Sequence, residues 1–220
     1  MRQSHTAPSP AAATARERIV AAAARVWAAD PSAPLDAIAT AAGVGRATLH
    51  RHFAGRAALV RTAALDGIAA LEAALDAAAL DTRAPADALE AAVSVLVHAG
   101  DRLHFVLYAA ESLDDADVAD AERRVDARLV PVLARALDAG VLHAELPAAW
   151  HFRAIEALAY AAWTAVARQE LAARDASSLV FETILRGLGG PSVPARTATT
   201  ATGPLGRRRG ATGARCGTGA

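Results

Sequence analysis

The chain has 220 residues, with 23 basic side chains (all arginine) against 23 acidic ones, and its 63 alanines and 4 % aromatics favour helix and exclude an all-β fold. A single cysteine, Cys216, excludes a disulfide framework, and no run of about 18 residues is apolar enough to span a membrane. With no basic-then-apolar leader pattern at its start, the chain is expected to be a soluble, cytoplasmic, all-α protein.

The first 13 residues mix Ser, Pro, Ala and Thr without periodicity and read as a mobile arm. Thr14 can cap a helix with Glu17 in its first turn, and Ile19, Val20, Ala23, Val26 and Trp27 recur on one face. Asp30-Pro31-Ser32-Ala33-Pro34 ends that helix. Pro34 then opens a short helix whose Leu35, Ile38, Ala39 and Ala42 face one way. Gly43 follows, and a second short helix runs from about Arg46 to Phe53. Gly55 breaks it, and a long helix spans about Arg56 to Leu80. A segment opened by Pro85 is expected to end near Gly100, with Asp101 capping a separate helix that contains Leu103, Phe105 and Tyr108. Acidic residues from Asp114 to Asp120 lead into an amphipathic helix ending near Gly140, and Pro147 starts another. Ala176-Ser177-Ser178 precedes a last helix, stopped by Gly189-Gly190-Pro191. Residues 191–220 offer almost nothing apolar to bury and read as a disordered tail.

Charge is unevenly spread along this string. Residues 1–61 hold eight arginines and three acids, whereas residues 62–195 hold ten arginines and twenty acids. The last 25 residues hold five arginines and no acid. A basic head on an acidic body points to a polyanionic partner for the head.

The segment 34–53 supplies the chemistry. Two short helices joined by a tight, Gly-containing turn make a helix-turn-helix. Ala39 is small where the helices cross, and Gly43 can take the left-handed conformation that ends the first of them. Val44, Leu49 and Phe53 can anchor the second helix, leaving Arg46, Thr48, His50, Arg51 and His52 outward with no acid among them. Such a helix fits the major groove of double-stranded DNA. Residues near its start, Arg46, Thr48 and His50, are assigned to base edges. Arg51, His52 and Arg56 are assigned to phosphates.

Ile38-Ala39, Ala42-Gly43-Val44, Thr48-Leu49, His52-Phe53, Arg56 and Leu59 make residues 16–71 resemble the DNA-binding domain of the tetracycline-repressor-like (TetR) family of bacterial transcription factors. The resemblance implies a homodimer on a palindromic operator, released when a small-molecule effector enters a pocket in the helical body. The sequence departs from the family pattern at several points. Ala33-Pro34 replaces the usual Thr or Ser cap of the first short helix, and Gly45 replaces the cap of the second. Ala47 stands for Gly, His50 for Tyr and Arg56 for Lys.

In the body, His98, His104, Tyr108, Glu111, Glu156, Tyr160 and Trp163 are polar or aromatic residues within apolar helices and are the candidate ligand-binding set. Each can equally be a core residue with a satisfied hydrogen bond, or exposed. No metal, cofactor or catalytic constellation is expected. His50 and His52 point to different sides of a helix, His143 and His151 lack further ligands, and no hydrolase or nucleotide-binding motif occurs. Asp114, Asp115, Asp117 and Asp120 read as a solvated face. Residues 148–168 and 176–188 alternate small residues (Ala154, Ala157, Ala161, Ala165, Thr183, Gly187) with large ones (Trp150, Leu158, Leu179, Ile184), as a four-helix dimer interface would require.

The expected organisation is an arm (1–13), a helix-turn-helix domain (14–60), a ligand-binding and dimerisation domain (61–190) and a tail (191–220). The expected function is a non-enzymatic, sequence-specific transcriptional regulator, a ligand-released repressor. A nonspecific, architectural DNA-binding protein is the alternative, followed by a helical small-molecule binder without a DNA role.

Overall fold

The computed structural model describes residues 13–111 and 114–191, with residues 101–111 described as backbone only. Apart from their inner ends, the expected arm and tail, with Cys216, lie outside the described residues. These form eight α-helices and one 3-10 turn: α1 (Ala15–Ala29), α2 (Leu35–Ala41), α3 (Arg46–His52), α4 (Arg56–Ala77), the turn Leu80–Thr82, α5 (Pro85–Glu111), α6 (Ala116–Asp138), α7 (Ala148–Ala167) and α8 (Ala173–Leu188).

Local chemistry sets most boundaries. At the start of α1, Thr14 and Glu17 form a reciprocal capping box: the Glu17 amide donates to Thr14 Oγ1 and the Thr14 amide to the Glu17 carboxylate. Asp115 accepts the amides of Asp117 and Val118 and so caps α6. Pro131 interrupts the hydrogen bonding of α6 on its exposed side, where water can serve the freed carbonyl.

Helices α1–α4 pack around Ile19, Trp27, Ile38, Leu49 and Leu59, each at most 1 % exposed. The same core continues through Ala63, Ala64, Gly67 and Ile68 of α4 into the body, where it meets Val93 of α5, Leu142 and Ile184. The small residues of α4 let α1 and α5 approach its axis closely. Helix α6 lies against α4 through an ionic ladder: Arg61 binds Asp115 (2.6 Å) and Asp117, Arg124 binds Glu72 (2.8 Å), and Arg128 binds Asp76 (2.7 Å). Arg135 extends it by donating to the Leu80 (2.9 Å) and Arg83 carbonyls. Hydrogen bonding from Arg61 holds the Asp115 carboxyl below its ordinary pKa, and Arg128 does the same for Asp76. The depressed folded values mean that the ladder's contribution is present above the ordinary carboxylate range and lost as pH falls through the folded values.

The structure corrects the sequence reading at three places. Helix α4 ends at Ala77 rather than Leu80, and α8 begins at Ala173, ahead of Ser177-Ser178. More consequentially, α5 is continuous from Pro85 to Glu111, so Gly100 is no terminus and Asp101 no cap. The reason is tertiary. A Cβ at position 100 would fall inside the indole of Trp163, and that indole donates its Nε1–H to the Val97 carbonyl at 2.8 Å. The glycine admits a ring against the helix backbone.

Gly100→Ala is therefore expected to destabilise the fold by about 1–3 kcal/mol through overpacking, despite alanine's better helix propensity. Thermal melts should show Trp163→Leu recovering much of that loss in the double variant but not producing stability by itself; an additive double-mutant cycle would contradict the contact.

Candidate functional site

The head carries an assembled helix-turn-helix. Helix α2 buries Ile38 and Ala39. Gly43 follows with φ +65°, the left-handed region where a side chain is strained, and the Val44 amide returns to the Ala39 carbonyl at 3.0 Å. Within α3 only Leu49 is buried, with Phe53 anchoring the exit at 3 % exposure. Arg46, His50, Arg51 and His52 are exposed and Thr48 is partly so. Neither Pro34 nor Gly45 supplies a side-chain cap to the helix it precedes.

Two features of the head were not foreseen. Asp36 of α2 reaches Arg46 at 3.2 Å, placing an acid beside a helix that has none of its own. Both side chains are well exposed, so the pair is weak and readily exchanged for another partner. The second feature concerns Arg56, assigned from sequence to a phosphate. Its guanidinium donates to the Pro31 (2.6 Å) and Ala33 (2.9 Å) carbonyls and lies 4.4 Å from the ring centroid of Trp27. The Trp27 indole also donates to the Ala33 carbonyl at 3.1 Å. Arg56 thus fastens the start of α4 to the α1–α2 loop, using proline-loop carbonyls that no helix or sheet serves.

The body contains a cavity of about 600 Å³ between α4, α5, α6 and α7. Its floor is apolar: Ile68 and Leu71 from α4, Leu89 and Val93 from α5, Leu129 and Leu133 from α6. Three of the sequence-predicted ligand residues, Glu156, Tyr160 and Trp163, line it from α7. His98 does not. It is exposed at the α5–α8 seam, where its Nδ1 lies 2.7 Å from the Ser94 carbonyl and 3.4 Å from Ser177 Oγ. The side chains of His104, Tyr108 and Glu111 lie outside the described residues. Sequence reasoning missed Phe152 and Arg153 of α7 and Glu122 and Asp126 of α6. A signal existed: 152, 156, 160 and 163 follow helical spacing, and 122 and 126 flank Val125 one turn apart.

His151 is fully buried, with Nδ1 3.1 Å from the Pro147 carbonyl and Nε2 without a partner. Among the described residues no three potential ligands gather at a metal site, and no helix is long and apolar enough to cross a membrane. Ile184, expected at a dimer face, is instead fully buried within the chain. Leu179, Thr183 and Gly187 of α8 and Ala157 and Ala161 of α7 are exposed, whereas Ala154 and Ala165 are partly buried.

A helix-turn-helix head on a cavity-bearing helical body defines a DNA-binding regulator. The sequence pattern of the bacterial regulatory proteins of the tetR family matches residues 19–63. The TetR-like transcriptional regulator LfrR of Mycobacterium smegmatis, in complex with proflavine, is 31 % identical (TM-score 0.67; 79 % of this chain and 94 % of that one covered). The chain therefore belongs to the TetR family of transcriptional regulators. A tetR-family regulatory protein from Rhodococcus RHA1 (23 % identical, TM-score 0.65, 81 % and 99 % covered) shares the fold. So does the ketosteroid regulator KstR2 of Mycobacterium tuberculosis (19 %, 0.62, 81 % and 96 %). Among curated protein sequences, none matches the chain significantly.

The geometry of Arg56 leads to a measurable expectation. Arg56→Ala should destabilise the head by about 1–3 kcal/mol, and Arg56→Lys should recover only part, because one ammonium cannot span two carbonyls and cover Trp27. Unchanged melting of both variants, with only DNA affinity reduced, would return the residue to a phosphate-binding role.

Proposed function

We propose that the chain is a cytoplasmic, ligand-released repressor that binds a palindromic operator as a homodimer. The observation that carries this reading is the outward face of α3, which buries one residue and leaves its donors in solvent. Arg46, Thr48 and His50 are assigned to base edges, and Arg51, His52 and Arg56 to phosphates. Arg56 also holds the head on α4 through the Pro31 and Ala33 carbonyls. The head is taken as residues 14–60 and the ligand-binding and dimerisation body as 61–190.

A dimer would pair the exposed small residues of α7 and α8 with those of a second copy, with Leu179, half exposed, and Trp150 filling the gaps. Because LfrR is known in complex with proflavine, the cavity here is assigned to a small-molecule effector. Helix α4 is the lever. Its start packs in the head through Leu59, and its middle lines the cavity through Ile68 and Leu71. An effector that prefers one setting of α4 shifts the two heads away from the spacing of successive major grooves, about 34 Å, and operator affinity falls by linkage. Helix α6, laddered to α4 and lining the same cavity, moves with it.

Two measurements test these assignments. In a mobility-shift assay, Arg46→Ala and Thr48→Ala should each cost about 1–3 kcal/mol of operator binding, with competition by unrelated DNA little changed and dimer content intact. Equal loss on operator and unrelated DNA would favour the architectural reading. Leu179→Asp should convert the protein to a normally melting monomer by sedimentation and remove tight operator binding; a dimeric variant would move the interface elsewhere.

A further inference from the structure

We propose that Asp36 is a specificity-determining residue of the head: its carboxylate positions the Arg46 guanidinium for a guanine and withholds it from phosphates. The proposal rests on the reading of Arg46 as a base-edge residue. Residues 1–61 hold three acids, Glu17, Asp30 and Asp36. Two of them are committed locally, at the two ends of α1. Glu17 accepts the Thr14 amide at 2.7 Å in the capping box, and Asp30 accepts the amide and hydroxyl of Ser32 at 2.9 and 2.7 Å. Asp36, in the first turn of α2, instead reaches across the helix-turn-helix to Nη1 of Arg46, the first residue of α3, at 3.2 Å. An acid in that turn suits the positive end of α2, which has no side-chain cap. The dipole accounts for a carboxylate there, and not for its partner on the outward-facing helix.

The pair makes the two kinds of DNA contact unequal. A phosphate asks for charge, and beside Asp36 the Arg46 guanidinium offers little of it. To take a phosphate it must leave the carboxylate, which then stands unpaired against the DNA backbone. A guanine asks for geometry. Its O6 and N7 accept two parallel N–H bonds, and a guanidinium carries five donors in a fixed plane. Arg46 can therefore keep Asp36 on Nη1 and present Nε and Nη2 to the base. Magnitudes separate the cases. An exposed ion pair contributes up to about five-fold in an equilibrium, and a bidentate guanine contact about five-fold to a hundred-fold. The guanine contact outweighs the pair even where the two compete. A single exposed phosphate contact is only another surface ion pair, so it gains nothing by displacing the first.

Fluorescence anisotropy of the full chain with two probes tests this. One is a duplex that the wild-type chain enriches from a randomised pool, and the other is an alternating A·T duplex of equal length, which holds no guanine. Asp36→Asn should tighten binding to the A·T duplex by about two- to five-fold. The slope of log affinity against log salt should steepen there by about 0.9, the mark of one added phosphate contact. The selected duplex should gain less or lose affinity, so the ratio of the two falls. With Arg46→Ala already present, Asp36→Asn should leave that ratio unchanged. Both positions are exposed, and Asp36→Ser repeats the test if Asp36→Asn melts early. Equal gain on both duplexes, no gain on the A·T duplex, or the same fall in ratio without Arg46 would each overturn the proposal. Arg46→Ala alone separates the proposal from the reading beneath it. If it spares the selected duplex, Arg46 reads no base and both fall. If it weakens that duplex while Asp36→Asn leaves the ratio as it was, only the role of Asp36 falls.

Discussion

The structure depends on the sharing of α4 between two jobs. At one end Leu59 and Val60 complete the head's core, and further along Ile68 and Leu71 form a cavity wall. Ala63, Ala64 and Gly67 lie buried between them, and each saves the space that a larger side chain would need. The helix is thus clasped by α1 and α5 along its length, and a rigid rod transmits displacement better than a hinged one. Arg56 secures the end of the rod that must carry the head. Its two carbonyl partners lie in a proline-containing loop, so the guanidinium also satisfies backbone groups that a small domain would otherwise leave to water.

The zero net charge of the sequence conceals three separate uses of ionic groups. In the head, arginine and histidine stand outward on α3. Between α4 and α6, acids and arginines pair across the seam, and Arg61, Arg124 and Arg128 each find a carboxylate there. Single exposed pairs contribute little, but a row of them fixes the register of two helices that also share an apolar seam. At the cavity mouth, carboxylates outnumber the one described arginine. Helix α6 takes part in the last two uses on different faces, with Arg124 and Arg128 toward α4 and Glu122 and Asp126 toward the cavity.

What could be read from the sequence was local. Thr14 and Glu17 announce a capping box by their spacing, Gly43 supplies the residue type most at ease at φ +65°, and Pro34 and Gly55 mark helix boundaries. These features depend on neighbours a few residues away. Gly100 misled because its cause lies 63 residues further on, in Trp163, and local reasoning reads a glycine as a stop. Arg56 shows the same limit: its charge suits a phosphate, and local reasoning does not reveal its further partners in a loop 23 and 25 residues earlier. The aromatic and acidic α7 residues of the cavity were legible as polar side chains within an apolar helix. His98 fits the same description yet faces the α5–α8 seam, since composition cannot give the rotation of a helix about its axis. Glu122 and Asp126 escaped because acids on an amphipathic helix ordinarily mark its solvent side.

The shortness of α3 carries the last step. Seven residues, uncapped by any side chain and preceded by glycine, cannot sustain a helix in water. Leu49 and Phe53 hold it to the head, and the Gly43 turn sets its angle to α2. Its order is therefore borrowed mainly from packing beneath it, and the exposed Arg46–Asp36 pair above adds little. The outward positions consequently carry little structural duty, so substitution there leaves the platform intact. His50 and Ala47, where the family pattern has Tyr and Gly, stand at such positions, exposed and outside the core. Of the residues that keep to the family pattern, Ala39, Gly43, Leu49 and Phe53 build the platform, while Thr48 and His52 stand on its outer side.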